Sequence, residues 1–155
     1  KKLVALYSYI KPYCEIMRKN GFEKLHYIDL FSGSGLLRIN DKIMPGTPLI
    51  PLIRINDGYK FDSYTLADIK KQYVDVLKTR STKLLGKNKL VLNVMKTNFD
   101  EVVVKLFTGI SSPRGEYKKN GYLVVLDPYG MQVSWKQLER ILQSGSVDMF
   151  ITFMT

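Results

Sequence analysis

Tyr-Ile-Asp-Leu-Phe-Ser-Gly-Ser-Gly, at residues 27–35, joins an apolar run to a turn that contains two glycines. A continuous apolar run broken by a single acid, Asp29, is typical of a central strand in a parallel sheet. Gly33 and Gly35 follow the run, and glycine lets the backbone pass close to a ligand at the carboxyl end of such a strand. The stretch therefore predicts a ligand-binding turn, although a lone Gly-x-Gly also occurs in tight turns that bind nothing.

A second apolar run ends in unusual backbone at Tyr-Leu-Val-Val-Leu-Asp-Pro-Tyr-Gly, residues 122–130. Pro128 would end the strand and free carbonyl groups that a sheet otherwise uses. Asp127 and a free carbonyl would accept hydrogen bonds from an amine, while the ring of Tyr129 stacks on the planar base that carries it. We predict Asp127, Pro128 and Tyr129 as the catalytic group. The alternative is a strand-ending turn in which Tyr129 only packs.

Strand and helix patterns alternate along the whole chain. Apolar or alternating runs predict strands at residues 25–31, 61–68, 89–95, 122–126 and 147–153. Helical spacing predicts helices at residues 3–18, 48–57, 69–80, 100–107 and 135–143. Pro12 should kink or divide the first helix, and residues 36–46 should form a loop. This alternation predicts an α/β fold with a doubly wound, mostly parallel sheet and right-handed crossovers.

The chain has 155 residues, which suits a single domain at residues 1–155 with a helical extension at residues 1–20. No apolar stretch is long enough to span a bilayer, and the first ten residues lack the apolar region of a signal peptide. Cys14 is the only cysteine, which excludes an internal disulfide and a cysteine-rich metal cluster. We therefore expect a soluble cytoplasmic protein. The final apolar strand would leave a bare sheet edge, which suggests a piece of a longer chain.

The chain is strongly basic, with 24 lysines and arginines against 14 acidic residues and a formal net charge of +10. Such a field attracts polyanions through long-range attraction and counterion release, so nucleic acid is an expected partner. Much of the positive charge falls in residues 70–89. These residues could also form the solvent-exposed face of a helix and the loop after it, with no partner. Charge alone leaves both interpretations open.

Ligands of doubly wound sheets bind outside the carboxyl ends of the strands, where the strand order reverses. The turn that contains Phe31 would lie beneath the ligand there. Asp68, at the end of the second strand, would accept hydrogen bonds from ribose hydroxyls, and Asn98 would bond an adenine edge. Asp68 lies farther from the glycines than the roughly twenty residues of the dinucleotide fingerprint, which disfavours nicotinamide. No Gly-x-x-x-x-Gly-Lys sequence occurs, which excludes the phosphate-loop nucleotidases.

The remaining chemically active side chains fit structural roles better. His26 is the only histidine and precedes a buried strand, so it is expected to be a hydrogen-bonded structural imidazole. Cys14 lies on the apolar stripe of the first helix and is expected in the core. Trp135 opens the last helix, where it would either flank the pocket or pack in the core.

The two strand-end motifs resemble those of class I S-adenosylmethionine-dependent methyltransferases. Asp29-x-Phe31-x-Gly33-x-Gly35 is similar to their cofactor loop, and Asp127-Pro128-Tyr129 to a shortened Asp-Pro-Pro-Tyr motif of amine methyltransferases. Over nearly its whole length the chain resembles the three-Cys-motif partner protein family. The residues that carry this resemblance are the 27–35 stretch, Gly-Thr-Pro-Leu at 46–49, Leu-Asp-Pro-Tyr-Gly-Met-Gln at 126–132, and Trp135.

This resemblance implies a Rossmann-like methyltransferase fold, S-adenosyl-L-methionine as cofactor and a partner protein that bears a cysteine motif. It implies cofactor contacts by Asp29, Phe31, Gly33 and Gly35, to which their positions at strand ends add Asp68 and Asn98. Many such enzymes carry an acid after the third strand, where this chain has Asn98, with Asp100 two residues on. The second proline of Asp-Pro-Pro-Tyr is missing, and the carboxyl-terminal hairpin that completes such sheets is absent from this sequence.

Three functional hypotheses follow. The first is a methyltransferase that acts on the exocyclic amine of a nucleic-acid base. The second is a catalytically inactive module with the same fold that binds nucleic acid or a partner protein. The third, a component of a nuclease or restriction system, lacks the pair of metal-binding carboxylates that it would need.

Overall fold

The structure, a computed structural model, describes residues 1–108, 120–128 and 133–152. The strands are β1 (Lys24–Asp29), β2 (Leu36–Ile39), β3 (Lys42–Pro45), β4 (Ser63–Asp68), β5 (Val91–Lys96), β6 (Asn120–Leu126) and β7 (Val147–Ile151). The α-helices are α1 (Lys2–Lys19), α2 (Ile50–Ile53), α3 (Lys71–Leu85), α4 (Phe99–Phe107) and α5 (Trp135–Leu142). A short 3₁₀ helix, Arg54–Asp57, follows α2 directly.

Five strands form one sheet in the order β5-β4-β1-β6-β7, and every pairing between them is parallel. From β1 the chain moves outward to β4 and β5 on one side, then returns to β6 and β7 on the other. The predicted α/β class and mostly parallel sheet are therefore confirmed, and the architecture is compatible with a Rossmann-like fold.

Helices cover both faces of this sheet. Leu25 and Tyr27 of β1 belong to a core cluster with side chains of α1, α2 and α3, whereas Ile28 belongs to a second cluster with α4 and α5. Successive side chains of a strand point to opposite faces, so β1 separates the two clusters. A sheet buried on both faces explains why its central strands are continuous apolar runs.

Helix α1 is continuous, so the prediction that Pro12 divides it is wrong. Proline removes one intrahelical hydrogen bond. Buried side chains on both sides of Pro12, including Leu6, Ile10 and Cys14, anchor the two halves to the same core. Cys14 is thus a core residue, as predicted.

The predicted loop at residues 36–46 is instead an antiparallel hairpin of β2 and β3. Its turn residues Asn40 and Asp41 both have positive φ, at 48° and 61°, as a two-residue hairpin turn requires. The hairpin side chains are mostly exposed, so no burial pattern marks these strands in the sequence.

Two helix details differ from the predictions. The sequence pattern predicts that Tyr73, Val76 and Leu77 of α3 face inward; Leu77 is buried, but Tyr73 and Val76 are exposed, and the buried stripe runs through Val74, Leu77 and Ser81. The helix expected from Pro48 begins only at Ile50. No helix in the described part of the chain is long and apolar enough to cross a membrane.

Candidate functional site

A cavity of about 550 Å³ opens at the carboxyl edge of the sheet, where the strand order reverses between β1 and β6. It is lined by residues 30–37, 46–48, 68–70 and 97–100, together with Tyr73 and Asp127. The segments that line it follow β1, β4, β5 and β6. Open α/β sheets bind their ligands at this position.

The glycine-bearing turn and the end of β6 line the same cavity. Gly33 and Gly35 contribute from the first segment and Asp127 from the second. Pro128, the next residue along the chain, is buried. Tyr129, the third residue of the predicted catalytic group, lies outside the described residues.

Both carboxylate oxygens of Asp68 accept hydrogen bonds from the backbone, and one of these bonds holds the glycine turn. The Gly33 N–H donates to Asp68 Oδ2 at 2.9 Å, and the Lys70 N–H donates to Asp68 Oδ1 at 2.9 Å. A carboxylate oxygen can accept a second hydrogen bond, so acceptor capacity remains on the cavity side. The orientation of Asp68 is therefore fixed before any ligand binds.

The two glycines serve different purposes. Gly33 has φ 61°, and a Cβ atom placed there would meet no atom within 4 Å. Gly35 has φ 88°, and a Cβ atom there would lie 2.9 Å from Leu77 Cδ1 on α3 and 3.1 Å from Leu49 Cδ1. Close packing against the helices, rather than ligand approach, therefore requires glycine at position 35. Arg80 of α3 also fixes this turn, because its guanidinium donates to the Ser34 carbonyl at 2.7 Å.

Asp29 lies beneath the turn and does not line the cavity, so the structure does not support the predicted direct cofactor contact. It is fully buried and accepts hydrogen bonds from the Thr47 hydroxyl at 2.5 Å and the Phe31 N–H at 3.2 Å. Burial raises the pKa of its carboxyl from 3.8 to about 7, although these two hydrogen bonds oppose the rise. Asp29 thus ties the turn after β1 to the segment before α2.

Phe31 and Asn98, two further predicted cofactor residues, both line the cavity. The Phe31 ring stacks on Phe99 with 5.2 Å between ring centroids. Asn98 caps α4, since its Oδ1 accepts from the Glu101 N–H at 2.8 Å. Its amide nitrogen is the group that remains to meet a ligand.

The cavity is acidic although the protein is basic. Asp68, Asp100 and Asp127 line it, and Lys70 is the one basic side chain among its lining residues. Sequence reasoning missed Asp100 and Lys70 as site residues. Both could have been found from the sequence, because Asp100 lies two residues after the predicted Asn98 and Lys70 lies two residues after the predicted Asp68.

Asp127 has an ion-pair partner that no local pattern indicates. The Lys2 ammonium, at the start of α1, bonds Asp127 Oδ2. Their side chains are 37% and 21% exposed, so solvent reaches both groups. The amino-terminal helix therefore contributes directly to the edge of the cavity.

The side chains assigned structural roles lie away from this cavity. His26 Nδ1 lies 2.6 Å from Ser63 Oγ, and its Nε2 lies 2.9 Å from Asn120 Oδ1, so the imidazole is hydrogen-bonded as predicted. Trp135 is 76% exposed, which excludes the core alternative, and it is not a lining residue. Within the described ranges no group of three His, Cys, Asp or Glu side chains is placed to hold a metal ion.

No protein-family model matches this sequence, and a search of curated proteins finds no match. The geometry and charge of the cavity are therefore the grounds for assigning a function.

Proposed function

We propose that the protein is an S-adenosyl-L-methionine-dependent methyltransferase that acts on the exocyclic amine of a nucleic-acid base. One observation carries the proposal: the turn with Gly33 and the strand end with Asp127 line a single cavity at the reversal of the strand order. A purely structural role for the two bends would not require that they share a cavity.

The lining residues fit the chemistry of this cofactor. Asp68 is oriented by two backbone N–H groups and would accept hydrogen bonds from the ribose hydroxyls. The amide nitrogen of Asn98 would donate to the adenine edge, and Phe31 would supply an apolar contact. The open space beside Gly33 leaves room for the cofactor next to the backbone. A volume of about 550 Å³ is within the usual range for a cofactor site.

The charge of the cavity supports the same assignment. Three carboxylates, Asp68, Asp100 and Asp127, line the space; Lys70 is the one lysine among the lining residues, and Lys2 pairs with Asp127 at the edge, so negative charge still exceeds positive charge. Carboxylates in a partly enclosed cavity favour a positively charged ligand over a phosphate-bearing one. When bound, the cofactor supplies an electrophilic methyl group on a positively charged sulfur.

In the proposed reaction Asp127 orients the acceptor. Its carboxylate would accept a hydrogen bond from the target amine and hold the nitrogen lone pair toward the methyl group. Transfer to a neutral amine depends on alignment more than on a strong base, so a single histidine outside the cavity is compatible with this chemistry. The amine proton would leave through Asp127, which solvent reaches.

The resemblance to the three-Cys-motif partner family supports the proposal and adds a partner protein that bears a cysteine motif. With this function we propose a cytoplasmic location, as expected from the sequence.

Calorimetric titration of the protein with S-adenosyl-L-methionine tests the cofactor assignment. We expect heat of binding in the wild type, a large loss of affinity in Asp68→Asn, and a smaller loss in Asp127→Asn, which removes one negative charge from the cavity but no proposed cofactor contact. Absence of both heat and a thermal shift at millimolar cofactor would refute the proposal.

Methyl incorporation then separates catalysis from binding. With isotopically labelled cofactor and bulk nucleic acid, the wild type should transfer label and Asp127→Asn should not. A protein that binds nucleic acid but transfers no label under any condition would instead be the inactive module.

A further inference from the structure

Positive charge is concentrated on one side of the molecule, which we call the basic flank and define as residues 70–96. It consists of α3, the edge strand β5 and the segment between them. These 27 residues contain eight lysines and arginines and a single acid, Asp75. Most of the net charge of +10 therefore lies on this flank.

The basic side chains of the flank are available to a partner. All seven of its lysines are exposed, and only Arg80 is half-buried, where it bonds the glycine turn. Asp75 is already paired with Lys71, its neighbour one helical turn away, at 2.6 Å. Among the strands in the described ranges, β5 is the last on this side of the sheet, so none of them covers the flank.

The flank reaches the cavity at one end. Lys70 and Tyr73 belong to the flank and also line the cavity. The Lys70 ammonium lies 4.9 Å from the centroid of the Tyr73 ring. A polymer that lies along α3 would therefore pass the mouth of the cavity, where an aromatic ring is 39% exposed.

We infer that the basic flank is the surface that holds nucleic acid, with backbone phosphates on the α3 lysines and a base near Tyr73. Lys71 and Lys78 are seven residues apart, so they lie on the same side of α3 and about 10 Å apart along its axis at about 1.5 Å per residue. That length matches roughly three steps of about 3.4 Å along a nucleic-acid strand. An aromatic ring beside a cationic track is the usual arrangement for stacking an unpaired base.

The inference deepens the proposed function but depends on it only for the base at the cavity. Exposed lysines beside an edge strand also prevent edge-to-edge pairing of sheets, and that role alone would need no partner. Affinity for a polyanion, and where on the surface it resides, distinguishes these two roles.

Fluorescence anisotropy with a labelled DNA duplex over a series of salt concentrations provides the test. The flank variant carries Lys71→Gln and Lys78→Gln, the two lysines on the same side of α3. The control carries Lys11→Gln and Lys19→Gln, which remove the same charge from exposed positions of α1. For the flank variant we expect the slope of log affinity against log salt to shrink by about 1.8, or about 0.9 for each phosphate that is no longer neutralised. At 0.1 M salt the affinity should fall about eightfold for each lysine that binds a phosphate.

The control should retain the wild-type slope and lose little affinity. Equal losses in both variants would mean that binding follows net charge only and would overturn the inference, as would unchanged binding in the flank variant. Circular dichroism of both variants confirms that each is folded. The anisotropy assay contains no cofactor, so it is independent of the calorimetric titration. Loss of DNA binding in the flank variant only, together with no heat of cofactor binding, would reject the methyltransferase but keep the flank. Heat of cofactor binding without flank-specific DNA binding would reject the flank but keep the methyltransferase.

Discussion

Replacing Asp29 with asparagine tests whether the acid beneath the glycine turn stays uncharged in the folded protein. Asp29 has no exposed surface, and its burial raises the pKa of the carboxyl from 3.8 to about 7. Asparagine has nearly the same shape but does not ionise. The Thr47 hydroxyl, which donates to Asp29, can rotate and accept from the new amide instead.

The expected magnitude follows from the two pKa values. Between about pH 4 and about pH 7 the unfolded chain has lost the Asp29 proton while the folded protein keeps it, so folding stability falls as the pH rises. Each pH unit in this window costs about 1.4 kcal/mol, for a total of about 4 kcal/mol. Above about pH 7 the carboxyl is ionised in both states, and this dependence ends. Below about pH 4 it is protonated in both, and the full stability is present.

Urea unfolding of the wild type and Asp29→Asn across this range measures the effect. The free energy of unfolding of the variant, relative to that of the wild type, should rise by about 4 kcal/mol between about pH 4 and about pH 8. Subtracting the wild-type profile cancels the groups that do not interact with Asp29, so the difference reports Asp29 and the charge coupled to it. Parallel pH profiles of the two proteins would refute the account of a buried, protonated acid.

Two further substitutions test the turn and its surroundings. Gly35→Ala should destabilise the protein by about 2–4 kcal/mol, since it adds a clash with Leu77 to the strain of positive φ, whereas Gly33→Ala should cost only about 1 kcal/mol of strain. Equal losses in thermal unfolding of the two variants would contradict the packing role of Gly35. Lys2→Met should lower stability by at most about 1 kcal/mol, because its pair with Asp127 is partly exposed, while the KM of an amine substrate falls as the carboxylate is released. An unchanged KM would show that Lys2 does not compete with the substrate.

The α/β class was predictable because a parallel sheet buried on both faces imprints continuous apolar runs on the sequence. The strand order was not predictable from the same runs, since they carry no information on which strands are neighbours. The hairpin of β2 and β3 was missed for a different reason: its strands, Leu-Leu-Arg-Ile and Lys-Ile-Met-Pro, are only four residues long, and apolar and polar residues do not alternate in them. Its turn, Asn40-Asp41, was the only local signal.

Much of the candidate site was predictable because the carboxyl ends of parallel strands meet at one edge of the sheet. Asp68 ends β4 and Asn98 follows β5, and both line the cavity as that rule requires. The burial of Asp29 also had a signal, since Asp29 continues the alternating face of Leu25 and Tyr27 on β1. The pairing of Lys2 with Asp127 had none, because 125 residues separate them and only the folded chain brings them together.

Because Cys14 is buried, the protein itself reacts little with thiol reagents. It is the only cysteine in the sequence, it is 5% exposed, and burial raises the pKa of its thiol to about 11. A maleimide dye would therefore react selectively with a cysteine introduced at Lys42, on the exposed hairpin. Leu36 and Leu37 of the same hairpin border the cavity, so the dye would act as an optical reporter of molecules that enter it.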